Sequence, residues 1–353
     1  MTRRLAGLAS LFAFAIGALL TLHAQSPAPT PLRVLPVRGN VYVIVGAGGN
    51  VVASVGKDGV LLVDAGAPQM TDTLLATVRE LDRRLTASPA AARSCIGVVQ
   101  GCTWWSSSSF LETTAAPPRP KPIIGIVNTS MDADHIGGNE KISAAGRTFG
   151  VRNLTNTAVG AWIVAHENVA SRLSPNGTPS IPVAALPNET YYGDGKKLNY
   201  VNGEPVIITH VEAGHTDGDS MVFFRGSDVI AAGDVFNMNT YPVIDTARGG
   251  TIQGTVDALN TLLDMAVVEH MMEGGTMIVP GHGRLGDTAD VAYYRDMVTI
   301  MRDRVREMRK RGMTLDQIKA ARLTKDYDPR FGKNPSWTPA MFIEAIYRSL
   351  PKT

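Results

Sequence analysis

The stretch Ile123–Asn139, IIGIVNTSMDADHIGGN, decides how the rest of the chain is read. Ile123, Ile124, Ile126 and Val127 are β-branched and apolar, the composition of a buried strand. From Asn128 the character changes to a polar loop with two glycines, and a short helix is expected near Glu140–Ala145. A buried strand that delivers Asp132, Asp134 and His135 at its end is how an α/β protein presents reactive groups at a sheet edge.

The same arrangement recurs along the chain. GVLLVD (Gly59–Asp64) ends on an acid. Gly214-His215-Thr216-Asp217-Gly218-Asp219 follows the apolar run Val206–Val211. Gly233-Asp234-Val235-Phe236 follows Asp228–Ala232. Pro280-Gly281-His282-Gly283 follows Met277–Val279. Histidines and aspartates at separate strand ends imply one shared site, and they are metal-ligand residue types. The candidate ligands are Asp134, His135, His215, Asp234 and His282.

Secondary structure is expected to connect these ends as follows. Val41–Val45 and Val51–Val55 form a hairpin across Gly46, Gly48 and Gly49. Thr71–Leu85 is an amphipathic helix with Asp72 in its first turn. Thr148–Arg152 is a strand, and Asn156–Leu173 a helix carrying His166. Ser174–Gly203 is rich in Pro, Asn and Gly and holds a hairpin. Ser220–Arg225 is a strand. Ile252–Met272 and Ala289–Arg311 are helices, with shorter helices after them. Strands come first, then alternate with helices, then return. That order favours an α/β sandwich over a continuous doubly wound sheet.

The chain has 353 residues, 44% hydrophobic and 19% charged, enough apolar material for a large core. A formal charge of +2 with no basic stripe argues against nucleic acid as a partner. Arg3 and Arg4 precede the apolar run Leu5–Leu22, and Pro-rich sequence follows Ala24. This is the layout of a secretory signal peptide over residues 1–24, the alternative being an uncleaved anchor. The expectation is a periplasmic or secreted protein with a Pro-rich tail over 25–36 and no membrane contact after cleavage. Cys95 and Cys102 lie in an inserted segment, 86–122, that also carries Trp104 and Trp105. An oxidising compartment would favour pairing the cysteines, the alternative being two free buried thiols. The tryptophans either pack the insert onto the domain or meet substrate.

Asp-x-x-His-x-Gly-Gly-Asn, Gly-His-Thr-x-Gly-Asp, Gly-Asp-Val-Phe and Pro-Gly-His-Gly, in this order, resemble the metallo-β-lactamase superfamily. The resemblance spans roughly Val41 to Met308. It implies an αββα four-layer sandwich over residues 37–311, with a helical extension over 312–353. By position, Asp134, His135 and His282 match the ligands of one metal, Asp234 a bridging carboxylate, and His215 a ligand of the second metal. The usual first motif is His-x-His-x-Asp-His, whereas this chain reads Ser130-Met131-Asp132-Ala133-Asp134-His135. Asp132 can still coordinate through oxygen; the neutral Ser130 hydroxyl is a poor ligand. The expected cofactor is zinc, one or two ions, with manganese or iron at an oxygen-rich site. An acid at Asp132 also resembles the diiron branch, but no flavin-binding domain accompanies it.

The resemblance implies a hydrolase in which a metal-bound hydroxide attacks an ester, lactone, thioester or amide bond of a small molecule, β-lactams being one member of that class. Asp134 would both bind metal and orient the hydroxide. Asp64 either orients a ligand histidine or is a strand-end turn residue. His166 reads as structural, the alternative being a ligand that approaches the cleft; His210 and His270 read as core or surface residues. Thr216, Asp217 and Asp219 shape the loop around His215. Asn237, Tyr241 and Arg248 are candidates for the substrate side, Arg248 for a carboxylate or else for the surface. The alternative to an enzyme is a metal-depleted binding protein on the same scaffold.

Overall fold

GVLLV and IIGIV are buried at every position, which a strand tolerates only when both faces of its sheet are covered. In the computed structural model, which describes residues 31–86, 120–148, 160–266 and 274–351, they lie side by side as parallel strands β4 (Gly59–Val63) and β5 (Ile123–Val127). Around them are β1 (Arg33–Arg38), β2 (Val41–Ala47), β3 (Gly49–Gly56), β6 (Trp162–His166) and β7 (Glu189–Tyr191). These make one seven-stranded sheet in sequence order. The second sheet has five strands: β8 (Gly195–Val201), β9 (Glu204–Val211), β10 (Asp219–Phe224), β11 (Val229–Asn237) and β12 (Met277–His282). Its order is β12-β11-β10-β9-β8, antiparallel except for the β11–β12 pair.

The two sheets face each other across Val52, Leu61, Val63, Val127, Val206, Val222, Phe224 and Val279. Helix α1 (Thr71–Thr86) covers the outer face of the first sheet. Its Leu74, Leu75, Val78 and Leu81 recur at helical spacing and pack on Val60, Leu62 and Ile126. Burying each such side chain contributes about 1.5–3 kcal/mol. Asp72 in the first turn and Arg83 and Arg84 in the last complement the helix dipole. Short helices α2 (Ala133–Ile136), α3 (Asn139–Ala144) and α4 (Glu167–Leu173) lie along the same chain region. On the second sheet's outer face lie α5 (Ile252–Met265) and α6 (Thr288–Lys310). Val291, Tyr294, Met297, Val298, Met301 and Val305 form the buried stripe of α6. The chain then continues through α7 (Leu315–Ala320), α8 (Asp328–Phe331) and α9 (Pro339–Ser349). Ile318, Phe331, Phe342 and Ile346 of these helices join the core of α5 and α6. The result is the expected α/β, αββα four-layer sandwich.

Several expectations need correction. Residues 162–166 form strand β6, not part of a helix over 156–173. WIVAH is aromatic, β-branched and almost wholly buried between β5 and β7, so sheet pairing overrides the helical spacing. The helix starts only at Glu167, with the His166 side chain as its N-cap. No hairpin lies within 174–203: β7 joins the first sheet and β8 the second. The hairpin is β8–β9, closed by Asn202-Gly203, both at positive φ (54° and 92°). That is the geometry an Asn-Gly two-residue turn supplies. Residues 33–36, expected in the tail, belong to edge strand β1; Pro36 is tolerated there because it sits at a register shift. Helix α5 ends at Met265, and residues 267–273, with His270, lie outside the described residues. So do 1–30, 149–159 and 87–119, which hold the expected leader, most of the strand expected at 148–152, Cys95, Cys102, Trp104 and Trp105. No helix among the described residues is long and apolar enough to cross a membrane.

Candidate metal centre

The site begins with Asp64, one residue past β4. Its backbone is left-handed (φ 68°), a conformation Asp tolerates better than most residues. The turn aims the buried carboxylate at the neighbouring strand end. Oδ1 accepts from the Thr129 amide at 2.8 Å, and Oδ2 accepts from Thr129 Oγ1 at 2.7 Å. The Asp64 Oδ2 also lies 2.8 Å from His135 Nδ1. A proton on Nδ1 is held by the carboxylate, which leaves the Nε2 lone pair for a metal. His135 is fully buried on α2, and its carbonyl accepts from the Ala65 amide. Asp64 is thus both a turn residue and the acceptor that orients a histidine.

The strand ends bring the six expected residues into two adjoining trios, Asp134–His135–His282 and Asp132–His215–Asp234. In each, one ligand atom per residue lies within 4.8 Å of the other two. Asp234 joins the trios: its Oδ2 is 3.1 Å from His135 Nε2 and 4.0 Å from His215 Nε2, and its Oδ1 is 3.5 Å from His282 Nε2. Asp134 Oδ2 lies 3.2 Å from His282 Nε2. His215 holds its Nδ1 on the Val243 carbonyl at 2.9 Å, turning Nε2 towards Asp132 Oδ2 at 2.8 Å. Close backbone approach is built in at Gly281, where a Cβ would sit 2.3 Å from Asp234 Oδ1. Asn50 ties the His282 loop down by donating to the Pro280 and Gly283 carbonyls.

The donor chemistry fits metal. His135 Nε2 and Asp234 Oδ1 are buried with no hydrogen-bond partner among the described residues. Orphaned buried polar atoms are costly, and an ion is what such a pair is suited to meet. Imidazole nitrogen with carboxylate oxygen is an ordinary zinc donor set.

The electrostatics describe protons standing where cations would. Burial opposes a charge on His135, but the Asp234 and Asp64 carboxylates outweigh it and raise its pKa well above the usual value. Burial likewise opposes charge on His215, and the bond to Asp132 with the nearby carboxylates raises it to about 10. Burial would raise Asp132, yet His215 and Arg248 hold it down at about 2. Asp234 lies well below the ordinary carboxylate range, burial being outweighed by His135, His215 and His282. The His282 hydrogen bond lowers Asp134, and Asp134 raises His282 in return. Binding a metal must release these protons.

Asp132, Asp134, His215, Asp234 and His282 open onto a cavity of about 370 Å³. Asn237, Asn239, Thr240, Val243 and Asn334 complete the wall. Of the residues expected on the substrate side, Asn237 lines this cavity. Tyr241 is not: it is fully buried, stacked on Phe342, with its hydroxyl on Asp328 and the Thr324 carbonyl. Arg248 does not line the cavity either; it pairs with Asp132 and Asp245. His166 stacks on His210 with ring centroids 3.6 Å apart, and neither belongs to a trio. Asp219 accepts from the Thr216 amide and hydroxyl and so shapes the turn after His215. Burial pushes that carboxyl up to about 6. Ser130 is buried, and its Oγ accepts from the Asp132 amide at 3.3 Å. Asn334, far along the chain, carries no sequence signal for a site, and Asn50 only the Gly-Gly-Asn turn around it.

The sequence profile described as the metallo-beta-lactamase superfamily matches residues 34–282. The chain belongs to that superfamily. Metallo-β-lactamase-superfamily proteins are metal-binding hydrolases, and the variant first motif here sits inside the matched region. No curated protein matches the chain in sequence. Among solved structures, the stereoselective inverting sec-alkylsulfatase Pisa1 from Pseudomonas sp. is 14% identical with a TM-score of 0.54 over 90% of this chain. The chain spans about half (50%) of that enzyme's length. The DIM-1 metallo-beta-lactamase is 15% identical, TM-score 0.49, over 76% of this chain and 98% of its own. The metallo-beta-lactamase from Pontibacter korlensis is also 15% identical, TM-score 0.48, over 76% and 99%. The sulfatase likeness speaks to the fold alone.

Proposed function

We propose that this protein is an exported metal-dependent hydrolase that cleaves an ester, lactone, thioester or amide bond, a β-lactam amide included, in a small molecule. One observation carries the reading: two ligand trios meet at Asp234 on the wall of a single cavity. Zinc suits the histidine-rich trio of Asp134, His135 and His282. The trio of Asp132, His215 and Asp234 is richer in oxygen, which favours harder ions such as manganese or iron. When bound, such an ion supplies Lewis acidity and lowers the pKa of water beside it.

The chain's own groups supply the rest. Asp134, held ionised by His282, offers an oxygen that accepts a hydrogen bond from the attacking water and orients it. Asn237 spends its Oδ1 on the amides of Asn239 and Thr240, which leaves its Nδ2 protons for a substrate oxygen. Asn239, Thr240 and Asn334 add polar wall, and Val243 an apolar one. A cavity of about 370 Å³ suits a small molecule rather than a polymer. The charge balance, +2 without a basic stripe, supports a reading without nucleic acid. The leader-like residues 1–24 support a periplasmic or secreted protein, free of the membrane after cleavage.

The test is a panel of chromogenic ester, cephalosporin, thioester and lactone, with an alkyl sulfate added because Pisa1 is named a sec-alkylsulfatase. Protein is stripped with chelator and reloaded with zinc. Hydrolysis of a carbonyl substrate that vanishes on chelation and in a folded Asp134→Ala variant is expected. Retained activity in Asp134→Ala would refute the assignment of the site. Failure to take up metal would leave the metal-free binding protein.

A further inference from the structure

Besides its donor set, the Asp132–His215–Asp234 trio differs from its neighbour in that a side-chain cation already sits on it. Asp132 gives Oδ2 to His215 and Oδ1 to the Nη1 of Arg248. Arg248 is fixed in place from several sides. Its Nε donates to Asp245 Oδ2 at 2.6 Å, and its amide to Asp245 Oδ1 at 3.0 Å. Its carbonyl accepts from the Asp217 amide at 2.9 Å, and Asp217 is held in turn by Arg172. Gly249 follows in the left-handed region (φ 87°), where a Cβ would press on Asp217 at 2.8 Å. The turn carrying Arg248 is therefore built to hold its guanidinium on Asp132. The other trio has no arginine or lysine paired to any member among the described residues.

We propose that Arg248 is a positioning residue that makes the second metal position conditional. It holds one oxygen of Asp132, leaves only the oxygen now bonded to His215 to turn to a metal, and places a fixed positive charge beside any ion bound there. The protein then loads in order: Asp134–His135–His282 fills first, and Asp132–His215–Asp234 fills only at higher metal concentration. The inference rests on the reading that both trios bind metal. It adds that they are unequal, and that Arg248 is the cause.

Zinc alone, titrated into chelator-stripped full-length protein by calorimetry, separates the possibilities. Wild type should show two steps at least tenfold apart in affinity. Arg248→Met removes the competing charge-assisted bond, and the second step should tighten on the order of ten- to a hundredfold. The first step should stay within a few fold, which also reports that the variant is folded. Arg248→Lys, which keeps the charge and loses the planar fork, should fall between. A second step that weakens in Arg248→Met would mean that Arg248 supports the site, and would overturn the proposal. Should that variant not fold, the wild-type titration still decides: two equal steps refute unequal loading. No zinc uptake in wild type would instead refute the metal reading itself.

Discussion

Asp64 does not line the cavity at the trios, yet substituting it should weaken metal binding at the histidine-rich trio. In Asp64→Asn the backbone is undisturbed, since Asn tolerates a φ of 68° as well as Asp does. The remaining oxygen can still accept from the Thr129 amide. The new NH₂ group, however, faces both Thr129 Oγ1 and His135 Nδ1, which now lie 2.7 and 2.8 Å from a carboxylate oxygen. An amide N–H cannot accept from Nδ1–H, so the ring moves its proton to Nε2, or the two donors are left opposed. The first outcome removes the Nε2 lone pair that His135 offers a metal; the second keeps it but repels the ring from the position the carboxylate holds. Loss of such an outer carboxylate costs roughly 10–100-fold in metal affinity, about 1.4–2.7 kcal/mol. The assay is competition for zinc against a chromophoric chelator, with a thermal melt to establish that the variant folds. A folded Asp64→Asn protein that holds zinc within threefold of wild type would refute the assigned role of this carboxylate.

Gly281→Ala places a methyl 2.3 Å from Asp234 Oδ1, with the Gly233 backbone behind it, so zinc stoichiometry by elemental analysis should fall along with activity. Tyr241→Phe should lower the midpoint of denaturant unfolding by an amount equivalent to about 1–2 kcal/mol and leave turnover unchanged; a loss of turnover in the folded variant would return Tyr241 to the substrate side. Metal-free protein should have a pH signature in melting curves. Folding raises His215 from 6.5 to about 10, so its contribution is complete below pH 6.5 and fades as pH climbs through 10. Folding lowers Asp132 from 3.8 to about 2, so its contribution is complete above about pH 4 and lost as pH falls through 2. Zinc-loaded protein should not show the alkaline decline, because His215 would then be bound without its proton; a decline of equal size in both forms would contradict the placement of His215.

The central strands and the site's strand ends were legible because burial and chemistry leave short-range marks. GVLLV and IIGIV are apolar throughout, and Asp, His and Gly follow apolar runs at Asp134, His215, Asp234 and His282. The misread strand at 162–166 shows the limit: WIVAH has helical neighbours, and only pairing with β5 and β7 settles it. The Asn202-Gly203 turn was readable in principle, but which sheet each flanking strand joins is a long-range fact. The pairing of Arg248 with Asp132 joins residues 116 apart, and Asn334 reaches the cavity from outside the family match. Contacts of that range depend on how layers stack, which no local pattern encodes. The lost His-x-His of the first motif was visible; that its replacement is held by an arginine was not.

The most direct measurement is the anomalous X-ray signal of zinc in crystals of the zinc-loaded protein. The account predicts a peak among Asp134, His135 and His282, with a second, weaker one among Asp132, His215 and Asp234. Zinc located elsewhere on the chain, or absent from both trios after loading, would contradict it.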